Sequence, residues 1–287
     1  MLFAARIQQS GEVEFLRDRV LALRVRDAEV EYRFRYSGPA GFTPCQGDQP
    51  PDLTISGAIY DFLALVTLRY FLIAGFAFVV FYILLRKKIT HKKIQKAFPA
   101  GKDYRREIMY SLSSLFIFAA TPSLLLLTPL KAYTQFYSGA YSHGTLYFWL
   151  AFPITFILHD TYFYFVHRMM HHPKLFSFIH LTHHKSVNPS PWAAFAFSVP
   201  EAIIEAGIFA LLLFIMPLCK WHLFVFFLVQ MLYNVYGHLG WELYPKGFSK
   251  NWFGKWINTS VNHNLHHRYF KGNYGLYFLW WDRLLGT

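Results

Sequence analysis

Only two cysteines, Cys45 and Cys219, occur among the 287 residues. So few thiols exclude a disulfide scaffold and any zinc or iron-sulfur site built from four thiolates. Acidic residues are scarce as well: 16 Asp and Glu stand against 28 Lys and Arg, a net charge of +12. On a soluble protein that excess would point to nucleic acid or an anionic surface. Here the basic residues crowd beside apolar runs, as Arg86, Lys87, Lys88, Lys92, Lys93 and Lys96 do, so anionic lipid headgroups are the expected neighbours and no nucleic-acid partner is expected. Residues 1–20 lack a basic stretch followed by an apolar core, so no cleaved secretory signal is expected and membrane insertion would rely on internal spans.

What the chain has in abundance is apolar surface. Hydrophobic residues make up 54% of it and aromatics 20%, gathered into runs. Residues 62–85 are apolar over the length a bilayer requires, interrupted by Arg69, which is expected to snorkel to one end. Further spans are expected at 110–130, with Pro122 inside, and at 145–168, where the character changes at His159. Residues 202–218 and 221–236 are short enough to form a re-entrant pair. The expected fold is an all-α integral membrane protein with four to five transmembrane or re-entrant helices over residues 57–287. Residues 1–56 differ: from Val20 to Tyr36, Arg and Glu alternate with Val, Leu, Tyr and Phe, a period of two that reads as one or two short strands. This N-terminal tail receives no role.

The basic run 86–106 follows the first span, whereas linkers 131–144 and 219–221 carry one lysine each, so the former is expected in the cytosol. Tracing onward places 168–198 and 238–287 there too. All the histidine-rich segments then form a helical cap on the cytosolic face of the endoplasmic reticulum or of a bacterial inner membrane.

Those segments carry most of the 14 histidines. Three clusters stand out: His167-Arg-Met-Met-His171-His172, His180-Leu-Thr-His183-His184 and His263-Asn-Leu-His266-His267, with His159 and His238 near them. On a helix His159, His167 and His171 fall at about 0°, 80° and 120°, one stripe. In each H-x-x-H-H cluster the outer histidines lie one turn apart with the middle one beside them, and all three are expected to converge. Neutral imidazole suits iron, zinc, copper and nickel, and it binds without burying negative charge near lipid. Eight to ten such ligands are too many for one ion, so two ions with four or five histidines each are expected. Asp160, Glu201, Glu242 and Asp282 are the carboxylates placed to tune them. His91, His143 and His222 are left as ordinary residues, and His172 is at most a residue behind the ligands.

Taken with His159-Asp160 leading into the first cluster, Asn188-Pro189, Pro200-Glu201, Gly237-His238-Leu-Gly-Trp-Glu242 and the closing Trp281-Asp282-Arg-Leu-Leu-Gly-Thr, these boxes resemble the fatty acid hydroxylase and sterol desaturase superfamily over roughly residues 60–287. The resemblance implies a membrane-bound, iron-dependent oxygenase whose cap holds two iron ions, for which zinc can substitute in isolated protein, with dioxygen as co-substrate. It implies His167 and His171, then His180, His183 and His184, then His263, His266 and His267 as ligands, with His238 and His159 as additional ones. No catalytic side chain separate from the metal ligands is assigned. Val199 departs from the pattern, standing where many sterol-acting members have histidine.

Side-chain acid-base chemistry does not break an unactivated C-H bond, so a metal must carry the oxidation. The expected activity is hydroxylation or desaturation of a lipid or sterol-like substrate, with electrons from a cytochrome b5-like protein, a ferredoxin or a reductase. Phe163, Tyr164, Trp192 and Phe195 are the expected substrate-tunnel wall. Rival readings are a zinc-dependent membrane hydrolase, a haem electron carrier and a metal transporter or store.

Overall fold

A computed structural model describes residues 20–25, 30–36, 42–44 and 53–287. Strands β1 (Val20–Val25) and β2 (Val30–Tyr36) pair antiparallel, with Val25 opposite Val30. β3 (Phe42–Pro44) adds antiparallel to β2, and β4 (Leu53–Thr54) adds parallel to β1, giving the order β3-β2-β1-β4. The period of two therefore extends into a four-stranded sheet. Its last strand runs directly into α1 (Ile55–Phe78), which continues as a π-helical turn over Val79–Leu84.

After the basic loop come α2 (Gly101–Leu126), a short strand β5 (Phe136–Tyr137) and α3 (Thr145–Met170). The compact elements α4 (Pro173–Ile179) and α5 (Leu181–His184) follow, then α6 (Val199–Ile215), β6 (Leu218–Cys219) and α7 (Lys220–Gly237). The chain finishes with α8 (Ser260–Tyr269) and α9 (Trp280–Leu285). β5 and β6 pair in parallel, clasping the linker after α2 to the turn between α6 and α7.

Two stretches, Tyr60–Leu84 and Gly101–Leu126, are long and apolar enough to cross a membrane. At a rise of 1.5 Å per residue, α6 and α7 are only about 26 Å long, short of the roughly 30 Å hydrocarbon core. All five long helices leave large apolar side chains exposed, among them Leu72, Phe116, Trp149, Ile203 and Phe224. In water such surface would be a liability, whereas lipid tails accept it.

Small residues let these helices approach. Ala74, Ala119, Ala194 and Ala202 are fully buried in one core with Tyr70, Leu115, Phe195 and Met231. This is how helices pack where lipid removes the hydrophobic drive between them. Pro122 and Pro153 interrupt the backbone ladders of α2 and α3, and hydroxyls beside them reach the nearby carbonyls: Ser123 to Ala119 at 2.8 Å and Thr155 to Ala151 at 2.7 Å.

The basic loop folds back onto the histidine-bearing end. The Trp241 indole donates to the Ile89 carbonyl (3.0 Å), the Lys93 ammonium to Asn188 (3.1 Å), and the Gln95 amide to Asn264 Oδ1 (2.9 Å). Desolvation by burial lowers the Lys93 pKa to about 8. Residues far apart in sequence are thus gathered at one end of the helix bundle.

Candidate metal centre

The C-terminal end of α3 supplies His167 and His171, the α4–α5 corner supplies His180, His183 and His184, the end of α7 supplies His238, and α8 supplies His263, His266 and His267. They form two groups. His167, His171, His180, His184 and His266 make one, and His183, His238, His263 and His267 the other, with the ligating nitrogens of each group within 4.8 Å of one another.

The three histidines of an H-x-x-H-H cluster do not converge, contrary to the expectation from their spacing. His180 and His184 enter the first group while His183 enters the second. His263 and His267 enter the second while His266 enters the first. Neighbouring residues on a helix diverge by about 100°, whereas residues four apart nearly align. Each cluster therefore straddles both groups and holds them side by side, with the His184 and His267 rings 4.8 Å apart.

In the second group the Nε2 atoms face one another: His238 lies 3.3 Å from His183, 3.1 Å from His267 and 3.0 Å from His263, and His263 lies 3.1 Å from His267. Each neutral imidazole carries only one N–H, and His238 commits its Nδ1 hydrogen to the Asn234 carbonyl at 2.8 Å. The four converging nitrogens thus cannot all be satisfied by one another. Nitrogens at right angles around an ion about 2.1 Å away lie roughly 3.0 Å apart, so this cradle fits a metal ion.

The first group passes the same test differently. His167 Nδ1 donates to the Tyr274 carbonyl (2.9 Å), His266 Nδ1 to the Gly272 carbonyl (2.7 Å), and His180 Nδ1 meets Glu201 Oε1 at 2.7 Å. With Nδ1 fixed, Nε2 of His167, His180 and His266 is left buried with no partner. Three orphaned lone pairs in one buried spot suit a cation.

Burial holds these groups neutral. Desolvation, reinforced by neighbouring imidazoles, puts His180, His183, His184, His263, His266 and His267 well below the ordinary histidine pKa. Burial lowers His238 and His171 to about 4, against the opposing pull of backbone carbonyls. Unprotonated imidazole is the form that binds metal.

Of the four carboxylates, only Glu201 touches a histidine of either group. Asp160 Oδ1 accepts the backbone N–H groups of Leu276, Tyr277 and Phe278 at 3.2, 2.7 and 3.3 Å. Asp282 accepts those of Tyr274 and Gly275 at 2.8 and 2.9 Å, which fixes the loop whose carbonyl holds His167. Glu242 accepts from the Tyr236 hydroxyl, from Tyr244 N (2.9 Å) and from Val261 N (3.3 Å) at the start of α8.

His159 is not brought to either group. Two turns before His167, it lies edge-on to Phe226 with ring centres 4.9 Å apart, and its Nδ1 is 3.0 Å from the Tyr277 hydroxyl. It lines a cavity between the long helices, together with Val66, Phe118, Phe195, Phe197, Phe209 and Phe226. Phe197 also packs on His183, ring centres 5.1 Å apart, so one wall residue of the cavity touches the second histidine group.

Among the expected tunnel residues only Phe195 lines this cavity. Phe163 packs against Leu276 and Tyr277, Tyr164 bonds to Thr287 (2.9 Å), and Trp192 packs on Tyr70 and Phe71. Arg69 does not snorkel clear of the bundle: its guanidinium sits 5.4 Å over the Phe227 ring, and both residues line the cavity. Polar residues buried inside apolar runs, Arg69 and Glu205, were the sequence signal for this cavity. Gly237 shows why α8 can approach so closely, since a Cβ there would stand 3.2 Å from the His263 ring.

Residues 152–287 match the family model described as fatty acid hydroxylase. The chain is 27% identical to a Delta(7)-sterol 5(6)-desaturase of Gibberella zeae over 64% of this chain and 55% of that protein. It is 30% identical to a Delta(7)-sterol 5(6)-desaturase of Aspergillus fumigatus over 64% of this chain and 62% of that protein. It is 32% identical to the lathosterol oxidase of Rattus norvegicus over 63% of this chain and 60% of that protein. The chain thus spans less than two thirds of the length of these relatives. No solved structure matches it.

Proposed function

We propose that the chain, whose residues 152–287 match the fatty acid hydroxylase model and which is similar to sterol 5(6)-desaturases and a lathosterol oxidase, is a membrane-bound di-iron oxidoreductase of the fatty acid hydroxylase and sterol desaturase superfamily that uses dioxygen to hydroxylate or desaturate a lipid of sterol type. The observation that carries this reading is the sorting of nine histidines into two adjacent groups of five and four. An all-imidazole donor set suits iron, and two ions side by side supply the electrons for reducing dioxygen and breaking an unactivated C-H bond.

The chain's own residues do the rest. His167, His171, His180, His184 and His266 would hold one iron, and His183, His238, His263 and His267 the other. Glu201 orients His180 and raises its basicity, as a carboxylate behind a metal-bound imidazole does. The carbonyls of Tyr274, Gly272 and Asn234 fix the tautomers of His167, His266 and His238, which leaves Nε2 as the ligand. The aromatic cavity beneath would receive the lipid from the membrane and exclude water from the reacting carbon.

His159 belongs, in this reading, to the cavity wall. α3, α6 and α7 complete the membrane body with α1 and α2, and the histidine-rich end faces the cytosol, where an electron-donor protein would dock; the membrane is that of the endoplasmic reticulum or a bacterial cell. A zinc hydrolase needs about three protein ligands and a general base, and nine gathered imidazoles far exceed that.

The test is anaerobic iron reconstitution of the detergent-purified chain, with metal quantified per chain and Mössbauer spectra recorded before and after oxygen. About two irons per chain and an oxygen-dependent change to coupled ferric iron are expected. One tightly held zinc with no response to oxygen would overturn the reading.

A further inference from the structure

The chain beyond α7 does not stay level with the histidines. α9 packs on α3: the Trp281 indole donates to the Thr161 hydroxyl at 3.1 Å, and its ring centre lies 5.1 Å from that of Phe165. Thr161 precedes His167 by six residues, about 9 Å down the helix. The loop between α7 and α8 descends as well. Its Asn258 carbonyl accepts from the Tyr233 hydroxyl at 2.6 Å, and Tyr233 lies five residues, about 7.5 Å, before His238. Loop and helix form one unit, because the Leu279 N–H donates to the Trp256 carbonyl (2.8 Å) and the Arg283 Nε to the Lys255 carbonyl (2.7 Å).

This unit turns apolar side chains outward. Trp252 is 79% exposed and Leu284 70%, and their chain neighbours Phe253 and Leu285 are exposed too. Lys246, Lys250 and Arg283 are exposed in the same stretches, and the Lys255 ammonium and Arg283 guanidinium sit over the Trp256 ring at 5.2 and 5.6 Å. Indoles interleaved with cations are what a membrane–water boundary selects, the rings among the upper acyl chains and the long basic side chains reaching to the phosphates. A protein partner fits this surface less well, since the centres of protein interfaces are depleted in lysine. Phe165, on which Trp281 packs, is itself exposed on α3, so the patch continues the apolar outer surface of the helix bundle.

We infer that residues 246–256 and α9 form an interfacial anchor, which seats in the headgroup–acyl boundary of the bilayer that the long helices cross. Trp252, Phe253 and Leu284 enter the upper acyl chains, and Lys246, Lys250 and Arg283 pair with lipid phosphates. The inference rests on the proposed reading in which α3 and α7 complete the membrane body. The anchor also bears on the metal centre. Asp282 of α9 holds the Tyr274 and Gly275 N–H groups, and the Tyr274 carbonyl holds His167, so the segment seated in lipid is the one that fixes the loop behind the first histidine group.

The experiment is electron paramagnetic resonance of the full chain in phosphatidylcholine nanodiscs, with nitroxide labels placed by Phe253→Cys or Leu284→Cys in a Cys45→Ser background, Cys219 being buried. Both labelled positions are exposed, so neither substitution disturbs a packed core. Leu72→Cys on α1 and Lys174→Cys on α4, both exposed, serve as lipid and water references. Labels at 253 and 284 are expected to be relaxed by dissolved oxygen in preference to a water-soluble nickel chelate, at a depth of about 5–10 Å below the phosphates. Nickel access at either label equal to that at position 174 overturns the anchor. So does shielding of either label from both reagents, which would mean that protein covers it. Nickel access at position 72 would instead overturn the membrane body, and failure of the iron experiment the oxidative chemistry, while lipid contact at 253 and 284 would still stand as measured.

Discussion

His180 Nδ1 lies 2.7 Å from Glu201 Oε1, both side chains almost completely buried, and this contact joins the centre of the first histidine group to the first turn of α6. Ser198 caps that helix by accepting the Glu201 backbone N–H at 3.3 Å, which aims the carboxylate at the imidazole.

Replacing Glu201 with alanine leaves His180 free to turn and to change tautomer. Metal affinity of the first group is expected to fall by about 10- to 100-fold, with a smaller loss for Glu201→Gln. Isothermal titration with ferrous ion under anaerobic conditions checks this. Equal affinities for wild type and Glu201→Ala would remove Glu201 from the metal site.

His159→Phe and His263→Ala should separate the cavity wall from the ligands. His159→Phe is expected to retain both metal ions while altering lipid binding, because the ring faces Phe226 and Tyr277. His263→Ala opens the second group and is expected to lose one ion of two. Metal analysis of both variants decides the matter, and loss of an ion in His159→Phe would restore that residue to the ligand set.

Asp160→Ala removes the acceptor shared by three backbone N–H groups in the 276–278 loop. Leaving buried donors unsatisfied costs about 1–3 kcal/mol each, so destabilisation of roughly 3 kcal/mol or more is expected. The same loop begins at Tyr274, whose carbonyl holds His167, so weaker retention of metal should accompany the loss. Denaturation and metal analysis on one preparation test both parts.

The pH dependence of the metal-free chain follows from the histidines. His238 and His171 are lowered to about 4 from an ordinary value of 6.5, so between those values the unfolded chain binds more protons than the folded one. Stability should be unaffected by these groups above pH 6.5 and fall steadily as the pH drops from 6.5 towards 4. Bound metal holds the imidazoles deprotonated, so the holo chain should withstand lower pH before it unfolds. Melting temperatures across pH 4–8, with and without ferrous ion, measure this, and a flat metal-free profile between 6.5 and 4 would contradict it.

Composition and local pattern alone determined the apolar helices, the histidine-rich end and the nine imidazoles that the two groups share, because hydropathy and ligand type are properties of residues. The same pattern counted His159 with them, and only the packing of α3 against α7 keeps it apart. Spacing also made Glu201 a candidate, although nothing in it distinguished Glu201 from Asp160, Glu242 or Asp282. Those three proved to hold backbone, since what a buried carboxylate touches depends on which loop packs across it. The division of each H-x-x-H-H box between two metal groups required four chain segments to meet, and no single helix encodes that meeting. The same holds for Arg69, Glu205 and Gln230. Each stands alone in its own apolar run, and only the packing of the long helices around one cavity turns three isolated polar residues into its lining.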